Sequence, residues 1–206
     1  MNIVNLVGTL NINGAREDTK RASVFALITS KRLSVTFLQE THRQLFLSHR
    51  SSNSGGVGIL FSRDFVPLSS AVEEPVPGRL LKITTVFENV KLVFVNVYAP
   101  TAALDRLLLL NEIEKVVAGC NNNEFLFLGG DFNCTENPLL DRNHPEPHLP
   151  SKSTLTKLVQ ARELCDVWRY FHLGQSQFTW THSRGNQLSL ASLDRFYFFR
   201  HHINIQ

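Results

Sequence analysis

Phe125-Leu126-Phe127-Leu128-Gly129-Gly130-Asp131-Phe132-Asn133 is the stretch that decides the fold of this 206-residue chain. Four consecutive apolar residues read as a β-strand, and the run stops at two glycines, which punctuate regular structure. Directly after them stand an acid and an amide, two residues apart. Open α/β sheets gather their working groups at such strand ends. Working outward, Val35-Thr36-Phe37-Leu38 is a second buried strand that also ends on an acid, Glu40, and it follows apolar residues between Glu17 and Arg32 at helical spacing.

Upstream of that helix, Val4, Leu6, Val7, Thr9 and Leu10 form a β-rich opening that runs into the turn chemistry of Asn11-Ile12-Asn13-Gly14. Further strand-like runs occupy Leu45–Leu47, Val57–Phe61, Leu80–Phe87 and Lys91–Tyr98. Helices are predicted over Leu104–Val117 and about Leu155–Leu164, with a Pro-rich loop at Asn137–Pro150. Phe178-Thr179-Trp180 and Leu193–Phe199 close the chain as aromatic strands, with Phe178 and Trp180 expected to pack on one sheet face. The hairpin-length link between Leu80–Phe87 and Lys91–Tyr98 makes the sheets mainly antiparallel. The fold class is therefore α/β (α+β): a four-layer sandwich of two mixed β-sheets flanked by helices, in one domain over residues 1–206.

Composition narrows the function classes. The chain is 43% hydrophobic and 19% charged, as soluble globular proteins are, and no apolar run approaches the roughly 20 residues of a membrane span. The first residues lack a signal peptide's basic start and apolar core, so an intracellular location is expected. Cys120, Cys134 and Cys165 form no CxxC pair, which disfavours a disulfide framework or a zinc site. A net charge of +3 permits a polyanionic partner without identifying one.

The chemistry lies in a set. Asn11, Asn13, Glu40, Asp131 and Asn133 all follow predicted strands, and together they offer the oxygen donors, few of them charged, that a hard cation such as magnesium takes. Singly, each has a bland alternative: a turn-forming amide, a helix cap or a solvated acid. Tyr98 would by itself be a half-buried sheet aromatic and Asp194 a strand-end turn acid. The histidines, His42 among them, read as structural.

Five segments in order resemble motifs of the endonuclease/exonuclease/phosphatase superfamily, which includes apurinic endonucleases and the endonuclease domains of LINE-type (non-LTR) retrotransposons. They are Thr9–Gly14, Leu38-Gln39-Glu40-Thr41-His42, Asn96-Val97-Tyr98-Ala99-Pro100, Gly129-Gly130-Asp131-Phe132-Asn133 and Ser192-Leu193-Asp194-Arg195. Ser54–Leu60, Leu140-Asp141-Arg142 and Asp166-Val167-Trp168-Arg169 are similar to segments of the retrotransposon branch. The resemblance implies a phosphodiesterase that nicks DNA by metal-assisted in-line attack of water, using magnesium or, alternatively, manganese. Glu40 would be the principal metal ligand, with Asn11 beside it and Asn13 nearby. Tyr98 would touch the scissile phosphate, Asp131 and Asn133 would position the attacking water and the phosphate oxygens, and Asp194 would orient a histidine. It also implies DNA, through its phosphate backbone, as partner, and a nuclear location for a functional enzyme.

Three departures open a second reading. Ser192 stands where relatives commonly carry a basic residue, and the link from Glu40 to the next strand, Thr41–Gln44, is short. The family's Ser-Asp-His motif on a final strand does not occur in the 206 residues, so a C-terminal strand is expected to be missing. The alternative is a catalytically impaired, truncated relative that binds DNA weakly or is an inert element remnant.

Overall fold

The computed structural model describes residues 6–12, 17–41, 47–48 and 56–203. Asn13, Gly14, His42, His49, Ser54 and Gly55 lie outside the described residues, as does the start of the run expected at Leu45–Leu47.

Two sheets face each other. The first holds β1 (Val7–Asn11), β2 (Val35–Gln39), β4 (Val57–Phe61) and β3 (Leu47–Ser48), in the order β1-β2-β4-β3. The second holds β5 (Ser69–Val76), β6 (Leu80–Phe87), β7 (Val90–Tyr98), β8 (Phe125–Asp131), β12 (Asp194–Phe199) and β9 (Leu164–Asp166), ordered β5-β6-β7-β8-β12-β9. Only β1–β2 and β7–β8 pair in parallel, so both sheets are mixed and mainly antiparallel. A separate hairpin of β10 (Trp180–Arg184) and β11 (Gln187–Ala191) comes immediately before β12 in sequence.

Strand periodicity explains the layering. Along β7, Leu92 and Phe94 turn toward the first sheet and pack with Val35, Phe37, Val57, Ile59 and Phe65. Val93, Val95 and Val97 turn the other way, onto α2 (Ala103–Ala118) and α4 (Leu149–Ala161). In α2 the buried residues Arg106, Leu109, Leu110, Ile113 and Val117 fall at helical spacing, so one stripe meets the sheet. On the outer side of the first sheet α1 (Asp18–Ser30) buries no residue fully, and Val24 packs beside Ile12 and Leu38. No described helix is long and apolar enough to cross a membrane.

One position on the inter-sheet face of β7 is polar. Asn96 is fully buried, and its Nδ2 donates to the carbonyls of Leu38, 2.9 Å, and Gly58, 2.7 Å. Its Oδ1 accepts from Gln39 Nε2 at 2.7 Å, and Gln39 Oε1 accepts from Thr9 Oγ1 at 3.2 Å. The two sheets are thus tied by a satisfied amide chain one residue short of Glu40, where a buried amide left unpaired would cost about 1–3 kcal/mol.

The glycine pair of the opening stretch has a steric reason. Gly130 has φ +127°, and a Cβ there would sit 2.0 Å from the carbonyl oxygen of Val97. Gly130→Ala should therefore destabilise the protein by at least ~2 kcal/mol, because backbone strain and a backbone clash add. Urea unfolding of the two proteins measures it, and equal midpoints would show that β7 and β8 can separate to admit a side chain.

Most predicted elements form where expected, and the main differences are these. Phe178 and Trp180 do not pack as core: they are 36% and 39% exposed, and Trp180 begins the β10–β11 hairpin, whose β10 residues are all exposed. The Pro-rich loop contains α3 (Pro138–Asp141) and the start of α4, since Pro at a helix's first positions forfeits no hydrogen bond. β5 has exposed residues throughout except Val76 and carries no apolar alternation to reveal it. β9 and α5 (Val167–Phe171) are too short for a periodicity to show.

Candidate active site

Two neighbouring strands of the first sheet and three of the second converge on one end of the sandwich. In the first sheet, parallel pairing sets Asn11 opposite Gln39, so Asn11 and Glu40 leave the sheet together. Asn11 Nδ2 donates to Glu40 Oε1 at 3.0 Å. Glu40 ends its strand in the left-handed region, φ 56°, a conformation that costs a non-glycine residue about 1–2 kcal/mol.

In the second sheet, parallel β7–β8 pairing puts Tyr98 opposite Asp131, and antiparallel β8–β12 pairing puts Asp194 on Asp131's other side. Tyr98, Asp131 and Asp194 therefore form one rung across three strands, spanning about 10 Å at the usual inter-strand spacing. Tyr98 packs against the inter-sheet core, so the rung turns toward the first sheet and Glu40. Asn133, φ 48°, bends back over the rung: its backbone N–H donates to Asp131 Oδ1 at 2.8 Å and its Nδ2 to the Ala99 carbonyl at 2.7 Å.

The electrostatics are those of crowded acids. Asp131 is 6% exposed, and burial, reinforced by the Asp194 carboxylate, pushes its carboxyl up to about 7 against the pull of the Asn133 N–H. Burial also raises Asp194, and Tyr98 is raised by burial and then by Glu40, with Arg79 stacked 4.4 Å over its ring working the other way. Carboxylates in one desolvated spot disfavour each other's charge, and an added cation or a shared proton relieves them. Asp194 Oδ1 is buried and accepts no hydrogen bond from the described residues.

The arrangement brings together Asn11, Glu40, Tyr98, Asp131, Asn133 and Asp194. Asn13 lies outside the described residues. Among the described residues no three His, Cys, Asp or Glu side chains cluster tightly enough to enclose a metal ion. The described histidines are engaged elsewhere: His144 on Leu188, His148 as the cap of α4, His172 on Trp168 and His182 stacked with Trp180. His201 meets the Asn122 carbonyl at 3.0 Å and His202 stacks on Phe125, at the start of β8, the end opposite Asp131.

Some supporting residues had no role assigned from sequence. Thr179 Oγ1 accepts from the backbone N–H groups of Leu193, 3.0 Å, and Asp194, 3.1 Å. Buried Arg106 donates to the carbonyls of Pro100, 3.1 Å, and Thr101, 2.8 Å, and so fixes the chain just after Tyr98. A lone Arg at a helix start gives no such sign in sequence. Ser192, where a basic residue was expected, instead donates through its hydroxyl to the Gln177 carbonyl.

Comparison with known proteins identifies the family of the chain and its fold. The family model described as Endonuclease/Exonuclease/phosphatase family matches residues 8–204. The Transposon TX1 uncharacterized 149 kDa protein of Xenopus laevis is 32% identical over 209 residues, covering 95% of this chain and 16% of that protein. The chain thus spans less than a fifth of that relative's length. Among solved structures, the endonuclease domain of TRAS1, a telomere-specific non-LTR retrotransposon, superposes with a TM-score of 0.72 at 12% identity, covering 95% of this chain and 85% of that one. An AP endonuclease from Archaeoglobus fulgidus gives 0.75 at 17% identity, covering 95% and 87%. D. rerio TDP2, complexed with single strand DNA product, gives 0.65 at 16%, covering 94% and 82%. At these identities the structural likeness shows a shared fold.

Proposed function

Because this chain belongs to the Endonuclease/Exonuclease/phosphatase family, we propose that it is the metal-dependent phosphodiesterase domain of a retrotransposon-type DNA-nicking endonuclease. The observation that carries the proposal is the Tyr98–Asp131–Asp194 rung facing Glu40, with Asn11 hydrogen-bonded to that carboxylate. Glu40 and the Asn11 amide are hard oxygen donors with a single charge, a set that suits magnesium or manganese with most positions left to water and phosphate oxygens. When bound, such an ion neutralises charge that develops on the phosphate.

This chain's own groups supply the rest. Asp131, held near neutral pH by burial and Asp194, is poised to take a proton from water. Asn133 keeps Asp131 aimed through its backbone N–H, and Tyr98 offers a hydroxyl to a phosphate oxygen. Asp194, with one oxygen unengaged by the described residues, is suited to orient an imidazole. DNA is the proposed partner, bound through its phosphates, and the nucleus the proposed place of action.

Asp194's unengaged oxygen also favours a second reading of the 206 residues taken alone: a site that binds metal and DNA but nicks poorly. Two measurements separate these readings from a wrong family role. Calorimetric titration with magnesium or manganese should show weaker binding after Glu40→Gln, which keeps shape and removes charge; equal affinity would remove Glu40 as ligand. Relaxation of supercoiled plasmid, with and without chelator, reports the nicking itself, and nicking indifferent to chelator would refute metal dependence.

A further inference from the structure

A buried ion cluster stands immediately behind Asp194 and has no part in the chemistry above. Arg195 is 6% exposed, and its guanidinium reaches two carboxylates from distant segments: Nη2 to Asp141 Oδ2 at 2.6 Å and Nη1 to Asp166 Oδ2 at 2.8 Å. Asp141, fully buried, also accepts from Arg169 Nη2 at 2.6 Å and from the backbone N–H of Asn137 at 2.8 Å. Asp166 Oδ1 in turn accepts from the Arg169 backbone N–H at 3.0 Å, starting α5. The residues of Leu140-Asp141-Arg142 and Asp166-Val167-Trp168-Arg169, two segments without an evident role in sequence, thus meet at one point.

The cluster grips the backbone leading to Asp194 from both sides. Ser192 N–H donates to the Asp141 carbonyl at 2.8 Å, and the Ser192 carbonyl accepts from Arg195 Nη2 at 3.1 Å. Asn143 continues the grip on the hairpin, accepting from Leu190 N–H at 2.8 Å and donating to the Leu188 carbonyl at 2.7 Å. The chain that follows Asn133 is therefore fastened to the chain that delivers Asp194.

Two Asp and two Arg make the cluster formally neutral, although the Arg195 guanidinium itself pulls the Asp194 carboxyl down against the larger effect of burial. A buried ion group is not good evidence for stability, since desolvation offsets much of its attraction and apolar replacements of similar volume are often neutral. What such a cluster does supply is fixed geometry, because a fork-shaped guanidinium satisfies two carboxylates in only one arrangement.

We infer that Arg195, clamped between Asp141 and Asp166, is a positioning residue that sets the place of Asp194 opposite Asp131. The inference rests on the proposed role of Asp194 in the site, and the test separates the two. The 206-residue chain is labelled with ¹³C at aspartate carboxyls and compared with Arg195→Lys, which keeps the charge and loses the fork, and with the charge-balanced double variant Asp141→Leu/Arg195→Met. Thermal unfolding and the Asp194 carboxyl resonance, assigned with Asp194→Asn, are read for each.

The expected result is a folded double variant whose Asp194 signal is displaced or split while its affinity for duplex DNA stays within about twofold of the parent. Arg195→Lys should displace the same signal less. Any metal-dependent nicking should fall about 10²-fold, the usual cost of a misplacement near 1 Å. An Asp194 signal unchanged in both folded variants would overturn the inference, and so would failure of both to fold, which would make the cluster a structural stay. A displaced signal in a protein that neither binds metal nor binds DNA would leave the positioning intact and refute the proposed function.

Discussion

Asp131→Asn is expected to stabilise the protein at pH 8 while removing its metal-dependent nicking. An ordinary aspartate titrates near 3.9, whereas Asp131 in the fold is raised to about 7. Between those values the folded protein holds a proton that the unfolded chain has released, so stability falls as pH rises from about 4 to 7 and stays reduced above it. A shift of about three units corresponds to an upper bound on the order of 4 kcal/mol, shared with Asp194 because the two carboxyls are coupled. Asn keeps the acceptor for the Asn133 N–H and cannot ionise, so its gain should be full at pH 8 and absent near pH 4. Nicking should drop by ~10²–10⁴, the usual contribution of a positioned general base. Thermal melts of both proteins across pH 4–8 check the first half; parallel curves would mean that Asp131 is ordinary in the fold. The pairing of gained stability with lost activity is the usual mark of a strained working site.

How much of this was legible in the sequence follows from what kind of signal each part leaves. Val57–Phe61 and the core of Phe125–Asp131 announce themselves because burial on both faces demands nearly unbroken apolar residues, and Leu80–Phe87 does so through its β-branched and aromatic content although Lys82 interrupts it. Asn11, Glu40 and Asp131 stood out at strand ends and Tyr98 and Asp194 through the family resemblance, while the register that draws them toward one end of the sandwich is encoded by no local pattern. Asn96 stood inside a recognised motif, yet its work as a strut between the sheets depends on the Leu38 and Gly58 carbonyls far away in sequence. The same holds for Arg195, whose partners come from residues 141 and 166. Phe178 and Trp180 misled because an aromatic pair two residues apart suits a packed strand and an exposed hairpin equally well until the partner surface is known.

The second large effect concerns Asp194. Appending a strand that carries Ser-Asp-His after Gln206 is expected to raise metal-dependent nicking by ~10²–10⁴ over the 206-residue chain, the range that one acid–base or electrostatic partner contributes. Two features offer the strand a place. β1 has no partner on its outer side among the described residues. Beside it a cleft of about 330 Å³ is lined by Thr9, Trp168, Thr179, Asp194 and Phe196. A strand laid along β1 would cover an open sheet edge and could bring an imidazole to Asp194 Oδ1, which would fix its tautomer and favour its charged form. His201 and His202 cannot substitute, because α6 (Arg200–Ile203) holds them at the Asn122 and Phe125 end of the sheet. Robust nicking by the unextended chain, abolished by Asp131→Ala, would show that no such imidazole is needed.

As proposed, Glu40 and the Asp131–Asp194 rung form one metal-dependent phosphodiesterase site. That assignment is tested most directly by relaxation of supercoiled plasmid with the extended chain, in magnesium, in chelator, and with Glu40→Gln and Asp131→Ala. The account predicts open-circular product in magnesium alone and its loss in the other three conditions. Nicking that survives chelator or both substitutions, or none in magnesium or manganese from a folded extended chain, would contradict it.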